Sequence, residues 1–477
     1  MKKLRIAQQQ ISRQNNFGVD LMAKIKSMFY CQECGYSSPK WMGRCPGCGK
    51  WNTMVEEIKE EVPVSKAKAL VDIDKKISSI KKLGEIKSGE KERYNTDISE
   101  LNRVLGGGLV KGSLTLISGA PGIGKSTLLL QAANNICKNY GKVLYISGEE
   151  SEEQIKIRGD RLGVKAEELY IVSETNLDVV EAYIDELEPK FVIIDSIQTI
   201  YRESISSAPG SVSQVKECSN TLMRIAKGKN IPLFIVAHVT KQGELAGPRV
   251  LEHMVDTVLS FEGERTEDFR ILRTMKNRFG TTSEIGVFEM SEDGLKPIYN
   301  PSRMFLEDTT FGQEGSIVIG IMEGTRPILV EIQSLVSETK SPMPRRTAIG
   351  VDNSRMSLIL AVLEKKIKVY FYSSDVYLNA VGGLDIKGTT GDLGIALSLF
   401  SSNRGKISKL EKLIVVGEVG LTGEIRPVSN CDRIINEAEK MGFMHAVVPY
   451  RNIDKLKDSK LKIIGVNTLK EAIGKIF

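Results

Sequence analysis

The chain has 477 residues, which is long enough for two or three domains with separate cores. Hydrophobic residues account for 41% and charged residues for 26% of it, a composition typical of soluble globular proteins rather than of disordered or collagen-like chains. The formal net charge of +6 permits a nucleic-acid partner without requiring one. No apolar run reaches the length of a membrane span and the N-terminus has no apolar export segment, so we expect a cytoplasmic protein that does not contact membranes.

A cluster of cysteines follows residues 1–27, which are predicted to be a disordered extension. Four of the seven cysteines lie in the next segment, residues 28–57, as two C-x-x-C-G pairs. The glycine after each pair permits the tight turn that points two thiolates at one ion, and four thiolates close a tetrahedral shell around a structural zinc. Two redox dithiols are the alternative. The predicted zinc ligands are Cys31, Cys34, Cys45 and Cys48.

Residues 58–95 are rich in Lys, Glu and Ser with little periodicity, and are predicted to be a linker. From 96 to 300, apolar strand-like runs alternate with helix-like stretches, which predicts an α/β domain with a mainly parallel sheet. Their near-continuous Val, Ile and Leu content indicates burial on both faces of the sheet. The runs are SLTLIS (113–118), KVLYIS (142–147), KFVIIDS (190–196) and PLFIVAH (232–238).

The first of these runs leads into GAPGIGKST, which matches G-x-x-x-x-G-K-[ST] between a strand and a helix. Its glycines allow backbone N–H groups to surround phosphates, and the N-terminus of the helix adds positive potential. We expect Lys125 to reach the β- and γ-phosphates of ATP and the Ser126 hydroxyl to bind Mg²⁺. The predicted ATP-binding residues are Gly119, Ala120, Pro121, Gly122, Ile123, Gly124, Lys125, Ser126 and Thr127.

Polar side chains end the other strand-like runs. Asp195, at the end of FVIID, is predicted to lie near the metal ion as a second Mg²⁺ ligand, with a simple strand-end cap as the alternative. Of Glu149 and Glu150, one is placed to activate the attacking water, and the other is expected to be solvated or paired. His238 ends PLFIVAH, and we expect it either to sense the γ-phosphate or to be a hydrogen-bonded residue of the core or rim.

The segment KNRFG (276–280) follows the strand-like run FRILRT. Lys276 and Arg278 occupy alternate positions at a strand end, so we expect both side chains on one side of it. Phe279 and Gly280 predict an anchor and a turn. Two cations alone indicate only a solvated basic turn.

Three loops carry candidate contacts to DNA, a role that rests mainly on the family resemblance given below, because most loops of this kind are only connectors or exposed basic surface. Residues 301–477 are predicted to be a second α/β domain, and the third of these loops, 340–350, lies in it. The candidates are Tyr201 and Arg202 in 199–215, Lys241 and Arg249 in 240–253, and Lys340, Arg345 and Arg346 in KSPMPRRTAIG (340–350).

The order of these motifs along residues 28–477 resembles the bacterial RadA family of DNA repair proteins, also called Sms. In that family a four-cysteine zinc ribbon precedes a RecA-type ATPase core with a P-loop, then KNRFG, then a domain similar to the proteolytic domain of Lon. The resemblance implies a ring-forming, usually hexameric, DNA-dependent ATPase. It further implies a helicase-like motor that processes and extends recombination intermediates on single-stranded and branched DNA, alongside RecA.

The resemblance also assigns cofactors and roles. It implies ATP, Mg²⁺ and Zn²⁺, and the RecA-like pattern favours Glu149 over Glu150 for activating water. In RecA-like rings the nucleotide lies between subunits, so Lys276 and Arg278 are implied to complete a neighbour's ATP site. Contact with DNA phosphates is the alternative role that the resemblance leaves open for them.

The C-terminal domain departs from the Lon pattern of a Ser nucleophile with a Lys base. Where Lon carries Gly-Pro-Ser-Ala-Gly, this chain has GTTGDLGIA (388–396), so Thr390 or Asp392 stands at the nucleophile position. Asp432 lies near the lysine position, and a carboxylate cannot act as a neutral amine base. We therefore expect a scaffold for ring assembly that is not an active protease. An active Lon-like protease and a slow ATP-gated clamp similar to KaiC are the competing hypotheses.

Overall fold

The fold is described from a computed structural model of the whole chain. The structure describes residues 26–32, 35–59, 92–238, 250–263, 269–307, 309 and 311–477. Most of the predicted extension and linker therefore lie outside the described residues. Two compact units are present, the first made of Met1–Thr96, Leu109–Pro121 and Lys125–Val258, and the second of Asp97–Gly108, Gly122–Gly124 and Leu259–Phe477. Residues 259–300, assigned from the sequence to the ATPase domain, group with the second unit.

The N-terminal ribbon is a small antiparallel sheet. Its strands are β1 (Lys26–Cys31), β2 (Ser37–Ser38) and β3 (Met54–Lys59), with β1 in the middle. Its buried core consists of Cys31, Cys45 and Met54, against which Phe29 and Met42 pack. So few apolar side chains do not stabilise a fold by themselves, and such ribbons usually need a metal or a disulfide.

The rest of the first unit is a parallel sheet between helices. Five strands lie side by side, each parallel to its neighbour. Their order is β6 (Leu114–Gly119), β10 (Leu233–His238), β9 (Phe191–Asp195), β7 (Val143–Ser147) and β8 (Leu169–Ser173). This confirms the predicted mainly parallel α/β core. The elements over this stretch of chain are β4 (Arg93–Tyr94), α1 (Ser99–Leu105, in the second unit), β5 (Leu109–Val110), β6 (Leu114–Gly119), α2 (Lys125–Tyr140), β7 (Val143–Ser147), α3 (Glu152–Arg161), β8 (Leu169–Ser173), α4 (Leu177–Leu187), β9 (Phe191–Asp195), α5 (Val212–Lys229), β10 (Leu233–His238) and α6 (Val250–Met254).

Local sequence explains where these elements begin and end. All residues of β6, β7 and β9 are buried, as expected for strands covered by helices on both faces. Ser151 caps α3 in a capping box with Gln154, which fixes the chain just after Glu149 and Glu150. Asn176 and Ser211 cap α4 and α5 without a reciprocal bond, because their side-chain oxygens accept from the backbone amides of Asp178 and Gln214. Among the described residues, no helix is both long and apolar enough to cross a membrane.

The second unit begins with a meander and continues into a mixed sheet. Strands β12, β13 and β14 pair antiparallel in sequence order. The seven-stranded sheet has the order β17-β18-β16-β15-β19-β22-β23, and β20 pairs with β21 separately. The strands are β11 (Thr257–Glu262, which begins in the first unit), β12 (Phe269–Asn277), β13 (Ile285–Ser291), β14 (Gly294–Pro297), β15 (Ser316–Glu323), β16 (Arg326–Glu338), β17 (Arg346–Ile349), β18 (Ser374–Ala380), β19 (Leu413–Val415), β20 (Glu418–Val419), β21 (Ile425–Arg426), β22 (His445–Pro449) and β23 (Lys462–Val466).

Helices cover this sheet and share its core. Helix α9 (Asp392–Arg404) packs Leu393, Leu397 and neighbouring residues into the same hydrophobic cluster as Ile319 and Val330 of the sheet. Helix α8 continues into a π-helical turn at Leu363–Ile367, and Tyr450–Leu456 forms a 3₁₀ helix. The α-helices are α7 (Pro301–Phe305), α8 (Asn353–Val362), α9 (Asp392–Arg404), α10 (Cys431–Lys440) and α11 (Leu469–Ile476).

A buried ion pair ties α1 to the sheets of the second unit. The Glu100 carboxylate, whose side chain is 2% exposed, accepts hydrogen bonds from the Arg326 guanidinium at 2.7 Å and from the Val287 amide at 3.0 Å. Arg326 also donates to the carbonyl oxygens of Ile298 and Tyr299. Both charges are removed from water, and Arg326 depends on Glu100 for compensation, whereas Glu100 also lies 3.6 Å from Nε of the exposed Arg103.

We expect Glu100→Gln to destabilise the second unit by roughly 3 kcal/mol, because it leaves the Arg326 charge buried without a counter-charge. Thermal unfolding followed by calorimetry measures the effect. The matched control is Asp160→Asn, which breaks the exposed pair of Asp160 with Lys156 and should cost less than about 1 kcal/mol. Equal shifts for the two variants would contradict the interpretation.

Candidate active site

The P-loop connects β6 to α2. Strand β6 ends at Gly119 and α2 begins at Lys125, so the intervening loop is the predicted phosphate-binding turn. Gly124 has φ of +113°, a conformation that side chains rarely adopt, and a Cβ there would lie 2.9 Å from the Met290 methyl group. Ala120 and Pro121 are exposed, while Ile123 is buried. The loop backbone is thus available to a phosphate group.

Lys125 lies folded against the loop. Its ammonium group donates to the carbonyl oxygens of Gly119 at 2.8 Å and Ala120 at 3.0 Å, and it lies 3.4 Å from Nδ1 of His238. Burial lowers the pKa of Lys125 to about 8, although the charges of Asp195 and Glu149 act in the opposite direction. A desolvated cation beside a turn of backbone amides is a suitable partner for a phosphate anion.

Glu149 is held by two neighbours at the carboxyl end of the sheet. One carboxylate oxygen accepts from the Ser196 hydroxyl at 2.5 Å, and the two oxygens lie 3.2 and 3.3 Å from Nε2 of His238. Because His238 also approaches Lys125, these side chains form one continuous polar network around the P-loop lysine. The Glu149 side chain is 43% exposed, so it is accessible to water, as a general base must be.

Glu150 has a different environment. Its carboxylate accepts from the Arg158 guanidinium at 2.6 Å on helix α3. The expectation that one of the two glutamates is paired therefore applies to Glu150. Glu149 is the one that contacts His238 and Ser196.

Asp195 ends β9 and is almost fully buried. One oxygen accepts a hydrogen bond from the Tyr145 hydroxyl at 2.6 Å. Burial and the charge of Asp195 raise the pKa of Tyr145 well above its usual value, so its hydroxyl stays a donor. Together with the Ser126 hydroxyl in the first turn of α2, this carboxylate offers the hard oxygen ligands that Mg²⁺ prefers. The residues fit the ion, which when bound neutralises charge on the phosphates.

The ribbon cysteines form a second candidate metal site. The sulfur atoms of Cys31, Cys45 and Cys48 lie within 4.8 Å of one another, and Cys34 lies outside the described residues. Two matching turns present them, because the amides of Gly35 and Gly49 donate to the carbonyl oxygens of Cys31 and Cys45. The 3.7 Å between the sulfurs of Cys31 and Cys48 is far longer than a disulfide. It agrees with the spacing of about 3.8 Å that a tetrahedral ion with Zn–S bonds of about 2.3 Å requires. The cluster therefore fits zinc.

KNRFG forms an anchored turn in the second unit. Strand β12 ends at Asn277, whose side-chain oxygen accepts from the Phe279 amide at 2.9 Å. A Cβ on Gly280 would lie 3.1 Å from the Cα of Gly106, so a side chain there meets backbone. Lys276 is half-buried within the strand, whereas Arg278 is exposed. Because Arg278 follows the last strand residue, strand alternation does not determine its direction.

The candidate DNA contacts differ in their surroundings. Arg202 pairs with Asp178 at 2.7 Å and Glu181 at 3.2 Å, an arrangement that compensates its charge inside the protein and does not favour DNA contact. The neighbouring Tyr201 is half-buried. Lys241 and Arg249 lie outside the described residues.

The loop at 340–350 combines exposed and engaged cations. Lys340 and Arg345 are exposed. Arg346 is half-buried, and its guanidinium donates to the carbonyl oxygens of Phe371, at 2.6 Å, and of Ser374. It therefore holds neighbouring backbone, and the two exposed side chains are the better candidates for phosphate contact.

An ion pair with a buried carboxylate involves Asp392, one of the two residues that the sequence offers for the position of the Lon nucleophile. Asp392, at the start of α9, is 1% exposed, and its two oxygens accept hydrogen bonds from the Arg355 guanidinium, one from Nε at 2.7 Å and the other from Nη2. It also accepts from the Val419 amide at 3.3 Å. Thr390 is half-buried in the preceding turn, and Asp432 lies in the first turn of α10. Neither a serine nor a lysine occupies these positions.

The sequence interpretation missed three residues of these sites: Tyr145, Ser196 and Arg355. A signal existed for the first two, since Tyr145 is a polar group within a strand of buried residues and Ser196 directly follows Asp195. Arg355 could not be found, because its partner Asp392 lies 37 positions away and no spacing rule connects them.

Comparison with known proteins identifies the family. The chain is 51% identical over 453 residues to DNA repair protein RadA of Bacillus subtilis, covering 95% of this chain and 99% of that protein. RadA of Listeria monocytogenes is 50% identical over 457 residues, covering 95% of this chain and 99% of that protein. RadA of Streptococcus pyogenes serotype M1 is 49% identical over 457 residues, covering 96% of this chain and 100% of that protein. The chain belongs to the RadA family.

Three family models match parts of this RadA family chain. An AAA domain matches residues 82–244, a rubredoxin metal binding domain matches 29–56, and subunit ChlI of Mg-chelatase matches 348–452. The predicted family and the predicted fold, a zinc ribbon, a RecA-like core and a Lon-like C-terminal domain, are confirmed. The AAA match and the P-loop geometry together support ATP binding and hydrolysis, and the ribbon match supports Zn²⁺.

We expect Glu149→Gln to bind ATP normally but to lose hydrolysis by roughly 10²- to 10⁴-fold, because the amide cannot accept a proton from water. Glu150→Gln is the matched control, since it removes only the charge that pairs with Arg158. Nucleotide binding by fluorescence and phosphate release measure the two steps separately. Loss of hydrolysis in Glu150→Gln with activity kept in Glu149→Gln would reverse the assignment.

Proposed function

We propose that this chain is a DNA-dependent ATPase that acts as a helicase-like motor in the bacterial cytoplasm. In this account it processes and extends branched recombination intermediates alongside RecA during repair. The observation that carries the proposal is the polar network of Lys125, Glu149, Ser196 and His238, because hydrolysis needs a base held beside the phosphate site. The chain belongs to a family whose members are named DNA repair proteins, and this supports the proposal that its ATP hydrolysis acts on DNA.

Hydrolysis follows from the roles of the chain's own residues. Lys125 and the loop amides bind the phosphates, and Asp195 with Ser126 holds the ion that accompanies ATP. Glu149 takes a proton from the attacking water. His238, between Glu149 and Lys125, is positioned to respond when phosphate draws the lysine away. Such coupling would link the presence of the γ-phosphate to the orientation of the base.

We further propose that the motor is a homo-oligomeric ring of six subunits in which KNRFG serves the neighbouring subunit. An exposed Arg278 on a turn anchored by Asn277 and Gly280 resembles cations supplied in trans to phosphoryl transfer. Lys276 would support it from the strand end. Single-stranded and branched DNA are the proposed substrates, and the exposed Lys340 and Arg345 the proposed phosphate contacts.

The C-terminal domain, in this proposal, is a scaffold and not a protease. Asp392 is neither a nucleophile nor free to become one, because Arg355 engages both of its oxygens. We also propose the division into a ribbon (28–57), an ATPase domain (96–300) and a Lon-like domain (301–477).

Mixed rings test the role of Arg278 in trans. Arg278→Ala keeps its own ATP site but lacks the cation, and Glu149→Gln lacks the base but keeps the cation. Each alone should be inactive, and mixing them should restore hydrolysis, because some sites then combine an intact base with a neighbour's arginine. The readout is basal phosphate release without DNA, expressed relative to the basal rate of the wild type, so that a role in DNA binding does not contribute.

A second mixture is the control for this experiment. Glu149→Gln combined with Lys125→Ala contains no subunit with an intact ATP site, so it should stay inactive. Activity of Arg278→Ala on its own, or no restoration in the first mixture, would contradict the trans role.

A further inference from the structure

Tyr145 is a fully buried tyrosine at the back of the ATP site. It lies in the middle of β7 with 1% of its surface exposed, among strand residues that are all buried. Its hydroxyl donates to one oxygen of Asp195 at 2.6 Å, a short bond of the kind formed with a charged acceptor. A phenylalanine would fill the same space without a polar group to satisfy, so packing alone does not explain the hydroxyl.

The register of the sheet brings the two residues together. Strands β7 and β9 are parallel neighbours in which Ser147 lies opposite Asp195 and Tyr145 opposite Ile193. Tyr145 therefore lies two residues, about 6.6 Å, before the end of the strand, and its long side chain reaches forward along the strand to the carboxylate. Its hydroxyl thus meets Asp195 from the buried part of the strands and not from their carboxyl ends.

We propose that Tyr145 is a positioning residue that fixes the Asp195 carboxylate for the metal ion that accompanies ATP. One oxygen is engaged by the hydroxyl, which leaves the other to face the ion. The inference rests on the proposed function in one respect, that Asp195 is the Mg²⁺ ligand. Groups that orient a ligand from behind commonly change metal affinity or activity 10- to 100-fold when they are removed.

The chain offers a matched control. Tyr140, at the end of α2, also uses its hydroxyl in a hydrogen bond, which it accepts from the Asn95 amide at 2.9 Å. Tyr140→Phe therefore removes the same atom from a position outside the polar network of the ATP site. Asp195→Asn provides the opposite reference, since it weakens the proposed ligand itself.

The test is a titration with Mg²⁺ of the full chain and a fluorescent ATP analogue, without DNA. For Tyr145→Phe we expect the half-saturating Mg²⁺ concentration for nucleotide binding to rise roughly 10-fold, with metal-free nucleotide binding unchanged. Tyr140→Phe should match the wild type. Direct binding of Mn²⁺ to the nucleotide complex, followed by electron paramagnetic resonance, should show the same loss without any turnover. Thermal unfolding of each variant establishes that the fold is kept.

Three outcomes decide the matter. A selective loss of metal affinity in Tyr145→Phe supports the positioning role. The positioning role is overturned if Tyr145→Phe and the wild type give identical Mg²⁺ titrations. It is also overturned if Tyr145→Phe loses metal-free nucleotide binding and thermal stability as much as it loses metal affinity. In both cases the proposed ATPase stands. If the wild type shows no metal-dependent binding of nucleotide, the proposed function fails and the inference fails with it.

Discussion

The parallel register of four neighbouring strands is the constraint on which the ATP site depends. In β6 and β10, Gly119 lies opposite His238, and in β9 and β7, Asp195 lies opposite Ser147. Because parallel strands end at the same edge of a sheet, residues far apart in sequence meet there. A slip by one residue would turn each of these side chains to the other face of the sheet. The hydrophobic residues that fix the register therefore also fix the chemistry.

Several charges among the described residues lie where another group compensates them. Glu100 pairs with Arg326 and the buried Asp392 pairs with the half-buried Arg355, and both pairs join elements that are distant in sequence. Lys125 is different, since burial lowers its pKa and its hydrogen-bond acceptors are neutral carbonyl oxygens. A desolvated cation whose acceptors are neutral gains the most free energy when it binds an anion. This property distinguishes a binding site from a structural ion pair.

Much of the site could be predicted because it follows from local sequence. The P-loop and the cysteine pairs are defined by residues close together in the chain, and the ends of buried strands locate Asp195 and His238 through a simple rule about parallel sheets. The rest depends on contacts over long separations. Tyr145 and Asp195 are 50 positions apart, and the engagement of Arg202 by acidic residues of α4 depends on tertiary packing. Loop cations are therefore the weakest predictions, since their partners are not visible in the sequence.

Steady-state ATP hydrolysis by the wild-type chain, measured with and without single-stranded DNA at two salt concentrations, tests the proposed DNA motor most directly. We expect DNA to stimulate hydrolysis and higher salt to weaken the stimulation, because phosphate contacts release counterions. Equal rates with and without DNA would contradict a DNA-driven motor and would favour an ATP-gated clamp that hydrolyses nucleotide independently of DNA.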